Sequence, residues 1–147
     1  MEKTIIGLAS DHAGYALKQF VKRYLDAHGA QYKDYGTDSE ASCDYPDYGH
    51  ALAEGITGGE VELGIGICGS GEGISMTLNK HKGVRAGLAW MPEIARLIRR
   101  HNDANVLVMP GRFVSDDTAA AIMDAFFATP FEGGRHERRV KKIDLCE

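Results

Sequence analysis

Cys68 stands where an apolar run, Leu63-Gly64-Ile65-Gly66-Ile67, gives way to the glycine-rich turn Gly69-Ser70-Gly71-Glu72-Gly73. That order describes a strand delivering a thiol to an anion-binding loop. Gly69, Gly71 and Gly73 let the backbone turn tightly and aim successive N–H groups at one point, and the following helix adds the positive end of its dipole. A thiol so placed can attack an electrophile or carry a proton. Other groups with chemical potential are Asp11-His12, His101-Asn102, Gly111-Arg112, and the pair Arg135 and Arg139 behind Gly133-Gly134. The two arginines are four apart and so share one face of a helix.

Several chemistries fail on particular residues. Gly64 to Gly69 spells GxGxxG, but its first two glycines fall inside the strand, and the next strand, Val84 to Ala89, ends without the acidic residue that would hold a ribose. A Walker phosphate loop needs Gly-Lys-Ser/Thr, which does not follow. A cysteine phosphatase needs an arginine a few residues after the nucleophile, and Glu72 to Ser75 contains none. Proton transfer is therefore the better role for Cys68. Taken singly, each residue also has an ordinary reading: Cys68 as a small apolar strand end, Asp11 or His12 as a helix cap, His101 as compensation for a helix dipole, Arg135 and Arg139 as a solvated face.

The elements that must position these groups alternate regularly. Strands are expected over Thr4 to Ala9, Gln31 to Tyr35, Leu63 to Cys68, Val84 to Ala89 and Asn105 to Met109. Helices are expected over Ala13 to His28, from Pro46 to about Thr57, from Ser70 to about Asn79, from Pro92 to about His101, from the N-cap Ser115 through Phe127, and from near Gly134. Strands alternating with helices pair in parallel through right-handed crossovers. The expectation is a three-layer α/β/α sandwich, Rossmann-like, around a mostly parallel five-stranded sheet, forming one domain over residues 1–147. Ligands of such sheets bind at the carboxyl ends of the strands, where Asp11, His12, Cys68 to Gly73, Trp90, Met91 and Arg112 fall. His101 and Asn102 end a helix on the opposite side. That placement suits a homodimer in which His101 serves the neighbouring subunit.

Composition narrows the setting. With 44% hydrophobic and 26% charged residues the chain has the makings of an ordinary soluble fold, and no apolar run is long enough to span a bilayer. Met1 to Ile6 passes at once into a strand pattern, leaving no room for a secretory leader, so a cytoplasmic location is expected. Cys43, Cys68 and Cys146 are odd in number and widely spaced, which argues against a disulfide framework or a zinc site. A net charge of −4 disfavours nucleic acid, while the basic cluster Arg135, Arg138, Arg139, Lys141 and Lys142 suits one small anion, such as a phosphorylated metabolite.

Together, separated segments resemble the family of ribose-5-phosphate isomerase B and galactose-6-phosphate isomerase. The resemblance is carried by Ser10-Asp11-His12-Ala13-Gly14, Asp44-Tyr45-Pro46-Asp47-Tyr48, Ile67 to Ile74, Asn79-Lys80, Val84-Arg85-Ala86, His101-Asn102-Asp103-Ala104-Asn105, Gly111-Arg112 and Glu132 to Val140. It implies aldose–ketose isomerisation of a sugar phosphate without metal or coenzyme, in a homodimer with shared active sites or a tetramer of such dimers. It makes Cys68 the proton-transferring base, Ser70 a hydroxyl that helps move the proton between the two oxygens, and His101 the acid/base that opens the sugar ring. By the same resemblance the amides of Gly69, Gly71 and Gly73 stabilise the enediolate and Asp11 holds substrate hydroxyls. His12, Arg112, Arg135 and Arg139 match phosphate ligands, with Asn102 and Tyr45 as sugar contacts. Ribose 5-phosphate and ribulose 5-phosphate are the expected pair. A six-carbon substrate, allose or galactose 6-phosphate, is the nearer alternative and a non-catalytic sugar-phosphate-binding protein the more distant one.

Overall fold

The computed structural model describes residues 4–145. Cys146 and the first residues of the N-terminal reading, Met1 to Lys3, lie outside the described residues.

Five strands, β1 (Ile5–Ser10), β2 (Gln31–Asp34), β3 (Leu63–Cys68), β4 (Ala86–Leu88) and β5 (Val106–Pro110), form one sheet in the order β2-β1-β3-β5-β4, every pair parallel. The helices are α1 (Tyr15–Ala27), α2 (Tyr45–Thr57), α3 (Glu72–Leu78), α4 (Pro92–Arg100), α5 (Asp116–Ala128) and α6 (Arg135–Val140), with a 3-10 turn at His12–Gly14. Strand alternation sends Ile6, Leu8, Ile65, Ile67, Leu107 and Met109 against α1, α4 and α5, while Ala9, Cys68, Val106 and Val108 meet α2 and α3. This is the expected α/β/α sandwich, with a sheet parallel throughout.

The glycines inside β3 have a packing cause. A Cβ on Gly64 would come within 3.1 Å of Leu52, and one on Gly66 within 3.1 Å of Leu78. Both therefore let α2 and α3 close on the sheet, which accounts for the GxG spelling without a nucleotide.

Some boundaries differ from the expected ones, for local reasons. The first helix is preceded by the 3-10 turn, because the Asp11 carboxylate accepts from Gly14 N–H at 3.1 Å and holds that segment tighter than an α-helix. Gly71 sits at φ +80°, so α3 begins at Glu72 rather than Ser70. The fourth strand shrinks to Ala86–Leu88, since the Arg85 N–H is taken by the Asn105 side chain at 2.7 Å rather than by a ladder. Ser115 caps α5 as expected, its hydroxyl accepting from Thr118 N–H.

Candidate active site

The carboxyl ends of β1, β3 and β5 converge around Cys68. Strand β3 leaves Cys68 only 4% exposed. Its carbonyl accepts from Gly111 N–H at 2.9 Å, and the Gly69 carbonyl accepts from Arg112 N–H at 3.0 Å. The turn after β5 is thus sewn to the glycine loop. The Arg112 side chain lies against that loop, where a Cβ on Gly69 would be 3.4 Å from its Cδ and Nη1. Gly71 is closed in from another side, since a Cβ there would approach Leu88 to 2.5 Å. The Tyr45 ring packs on the first turn of α3, where a Cβ on Gly73 would meet it at 2.5 Å. Gly71 and Gly73 therefore give their neighbours room, and Gly71, at φ +80°, also makes the turn that a side chain would strain.

Ser70 Oγ accepts from Glu72 N–H at 3.2 Å across the turn that leads into the short helix, which leaves the hydroxyl proton free to point elsewhere. Glu72 is exposed in the first turn of α3, where a carboxylate complements the helix dipole. Asp11 is 6% exposed and tied to the end of β3 through its N–H and the Ile67 carbonyl, 3.3 Å apart. His12 Nδ1 accepts from Cys43 N–H at 3.3 Å, so in the neutral ring Nε2 carries the hydrogen. The Cys43 thiol lies 3.9 Å from the same nitrogen.

A buried lysine supports this edge, and sequence reasoning did not find it. Lys18 on α1 is 0% exposed, bonded to Asp34 at 2.7 Å and to the Thr37 carbonyl. Gly36 and Thr37 in turn bracket Ser10, which leads into Asp11 and His12: Ser10 N–H donates to the Gly36 carbonyl at 2.8 Å and Thr37 N–H to the Ser10 carbonyl at 2.7 Å. Burial pulls the Lys18 amine below its ordinary pKa, with Asp34 opposing the fall. For Asp34, burial pushes upward, but hydrogen bonds from Lys18, Lys22 and Gly36 N–H outweigh it and hold the carboxyl low. A lysine at an amphipathic helix position reads as solvent-facing, so nothing local reveals this role.

A second group gathers elsewhere. His101, Asn102, His136 and Arg139 line a cavity of about 320 Å³, with Val140 and Ile143 as its apolar side. Arg135 is exposed at the start of the same helix as Arg139. This group lies near the opposite end of the strands, because the carbonyl of Asn105, three residues after Asn102, accepts from Gly64 N–H at the start of β3 while Cys68 pairs with Pro110 at the far end. At about 3.3 Å per residue, the length of β5 alone puts roughly 13 Å between the two ends. Within one chain the expected residues therefore fall into two separate groups, one at each end of the strands. Cys68, Ser70, the glycines, Asp11, His12, Tyr45 and Arg112 make one, and His101, Asn102, Arg135 and Arg139 the other.

His101, Glu132 and His136 form the one cluster of metal-ligating side chains among the described residues, their ligand atoms within 4.8 Å of one another. The two imidazoles are stacked, centroids 4.2 Å apart and planes 14° from parallel. An imidazole lone pair lies in its ring plane, so two rings stacked this way cannot both address one ion. The donor set does not fit a metal.

Comparison with known proteins places this geometry. Residues 6–143 match the model of the family described as Ribose/Galactose Isomerase. Ribose-5-phosphate isomerase B of Escherichia coli is 42% identical over 142 residues, covering 97% of this chain and 95% of that protein. The crystal structure of a ribose 5-phosphate isomerase from Thermotoga maritima superposes with a TM-score of 0.94 at 48% identity, covering 97% of this chain and 98% of that one. Ribose-5-phosphate isomerase B from Mycoplasma genitalium, solved with bound ribulose-5-phosphate, gives 0.92 at 40% identity over 97% of this chain and 95% of that one. With the family pattern running through nearly every described residue, and the same fold in relatives at these identities, the chain belongs to the ribose/galactose isomerase family.

Proposed function

We propose that this protein is an aldose–ketose isomerase that interconverts D-ribose 5-phosphate and D-ribulose 5-phosphate through an enediolate, in the cytoplasm and without metal or coenzyme. The observation that carries the reading is a nearly buried thiol at the end of β3, directly before a glycine loop, in a chain 40% identical to a relative solved with ribulose-5-phosphate.

The steps balance without an external oxidant. Cys68, as thiolate, takes the proton from C2 of the open-chain aldose, and the electron pair moves into the C1–C2 bond and onto the C1 oxygen. Ser70 passes a proton between the two oxygens, and Cys68 returns its proton to C1. Carbon is reduced at C1 and oxidised at C2 within one molecule. A proton beside a carbonyl is too weakly acidic for an unaided base, so the enediolate must be held. The amides of Gly69, Gly71 and Gly73 do this at the helix end, each such donor contributing about 10²- to 10³-fold. Asp11, Tyr45 and Asn102 hold the sugar, and His12, Arg112, Arg135 and Arg139 neutralise the phosphate. His101 opens the furanose by moving a proton between its anomeric hydroxyl and ring oxygen.

The separation of the two groups supports a homodimer in which His101, Asn102, Arg135 and Arg139 of one subunit complete the Cys68 site of the other. The family's description names galactose as well as ribose, which favours a six-carbon sugar phosphate as the second reading. Steady-state rates of the purified protein on ribose 5-phosphate, allose 6-phosphate and galactose 6-phosphate decide between them. Turnover of ribose 5-phosphate that falls by about 10²- to 10⁴-fold in Cys68→Ala is expected for loss of the base. An enzyme inactive on ribose 5-phosphate, or a Cys68→Ala variant as fast as wild type, would overturn the proposal.

A further inference from the structure

The end of α4 and the segment between α5 and α6 meet in an arrangement that the reaction scheme leaves unused. His136 is only 7% exposed and stacks on the catalytic candidate His101, with 4.2 Å between ring centroids and 14° between planes. Glu132 Oε1 lies 2.9 Å from His136 Nε2, within ion-pair distance when the imidazole is protonated but without the alignment of a hydrogen bond. The connecting segment is itself pinned to the last turn of α4: Glu132 N–H donates to the Arg100 carbonyl at 3.0 Å, and Arg99 Nε to the Thr129 carbonyl at 3.3 Å. Backbone and side chain together therefore bring one imidazole face to face with another.

The purpose of such a stack follows from what His101 must do. Its backbone ends a helix, its side chain is partly exposed at the rim of the cavity, and an imidazole there turns freely about two side-chain bonds unless something packs on it. Ring opening needs a nitrogen aimed at a particular oxygen, and misplacement by about 1 Å can cost on the order of 100-fold in rate. We propose that His136, held in place by Glu132, is a positioning residue for His101, fixing the plane of its ring so that its free nitrogen meets the anomeric hydroxyl or ring oxygen of a cyclic sugar phosphate. The proposal rests on the reading of His101 as the ring-opening group. A stacked aromatic partner holds one orientation over others by roughly ten-fold, the upper end for such pairs. Arg139, which lines the same cavity, is left to the phosphate.

The test separates ring opening from proton transfer. Ribose 5-phosphate is largely cyclic. Ribulose 5-phosphate is open-chain, because its C5 oxygen is esterified and cannot close a five-membered ring onto C2. Exchange of its C1 proton with deuterium from solvent therefore reports the enediolate step alone. In His136→Ala, kcat on ribose 5-phosphate should fall roughly ten-fold with KM held, while deuterium exchange into ribulose 5-phosphate stays at the wild-type rate. His136→Phe, which keeps an aromatic face, should recover most of the lost turnover, and Glu132→Gln should fall between the two. Retained exchange also shows that each variant is folded. A His136→Ala enzyme that loses exchange and turnover together, or a His136→Phe enzyme no better than His136→Ala, overturns the proposal. His101→Asn, measured alongside, should show the same split more strongly. If it does and His136→Ala is unchanged, the positioning role alone fails; if His101→Asn turns over ribose 5-phosphate like wild type, the reading beneath it fails and the proposal falls with it.

Discussion

Lys18 and Thr37 are joined beside the carboxyl end of β1, the buried amine of one donating to the carbonyl of the other. Because Thr37 also donates to Ser10, the lysine reaches the segment that carries Asp11 and His12 through one intervening residue. Removing one partner of a buried charge pair leaves the other unpaired, typically at about 3–5 kcal/mol. Lys18→Met should cost on the order of 3 kcal/mol, the lower end of that range, since Asp34 keeps its 2.6 Å contact with Lys22. Urea unfolding read by circular dichroism measures this. A variant as stable as wild type would show that the lysine is merely accommodated.

The pH dependence of that pair has a definite sign. The folded-state Asp34 carboxyl titrates below its ordinary value, so folding is favoured wherever the unfolded carboxyl is already ionised, above about pH 4. The contribution is lost as pH falls through the lower folded value. The stability gap between wild type and Asp34→Asn should therefore be full at neutral pH and narrow steadily below about pH 4. A gap that widens on acidification would contradict the direction assigned to Asp34.

Gly71 combines a left-handed backbone, φ +80°, with a tight contact, a Cβ there reaching Leu88 at 2.5 Å. Gly71→Ala therefore pays roughly 1–2 kcal/mol of backbone strain and more for displacing Leu88. If the loop amides hold the enediolate as proposed, the rate of deuterium exchange into ribulose 5-phosphate should fall together with stability. Gly59 is also at positive φ, +79°, with nothing within 4 Å of its Cβ position. Gly59→Ala should show the strain without the loss of exchange, and that contrast is the check.

A shared site makes a distinct prediction for mixtures. Cys68→Ala and His101→Asn subunits, each inactive alone on ribose 5-phosphate, should regain about a quarter of wild-type activity after being unfolded and refolded together. Half of randomly paired two-fold dimers are hybrids, and each hybrid rebuilds one of its two sites. Mixtures that stay inactive would place both groups within one subunit.

Local pattern determined much of this protein. The strand ending at Cys68, the helix cap at Ser115 and the alternation of strands and helices are readable because side-chain periodicity and cap chemistry act over a few residues. The glycine loop and the pairing of Arg135 with Arg139 on one helix face were legible for the same reason. Tertiary structure decided the rest, because it depends on contacts between residues far apart in the chain. Strand β5 lies between β3 and β4 although it follows both, which puts Arg112 against Gly69. Lys18 is buried because Asp34 and Thr37 are folded onto it from β2 and the loop beyond. His136 meets His101 only because the segment around Glu132 is bonded back onto the end of α4. Short-range spacing can supply a thiol, a glycine loop or a pair of arginines; only the closed fold decides which of them face each other.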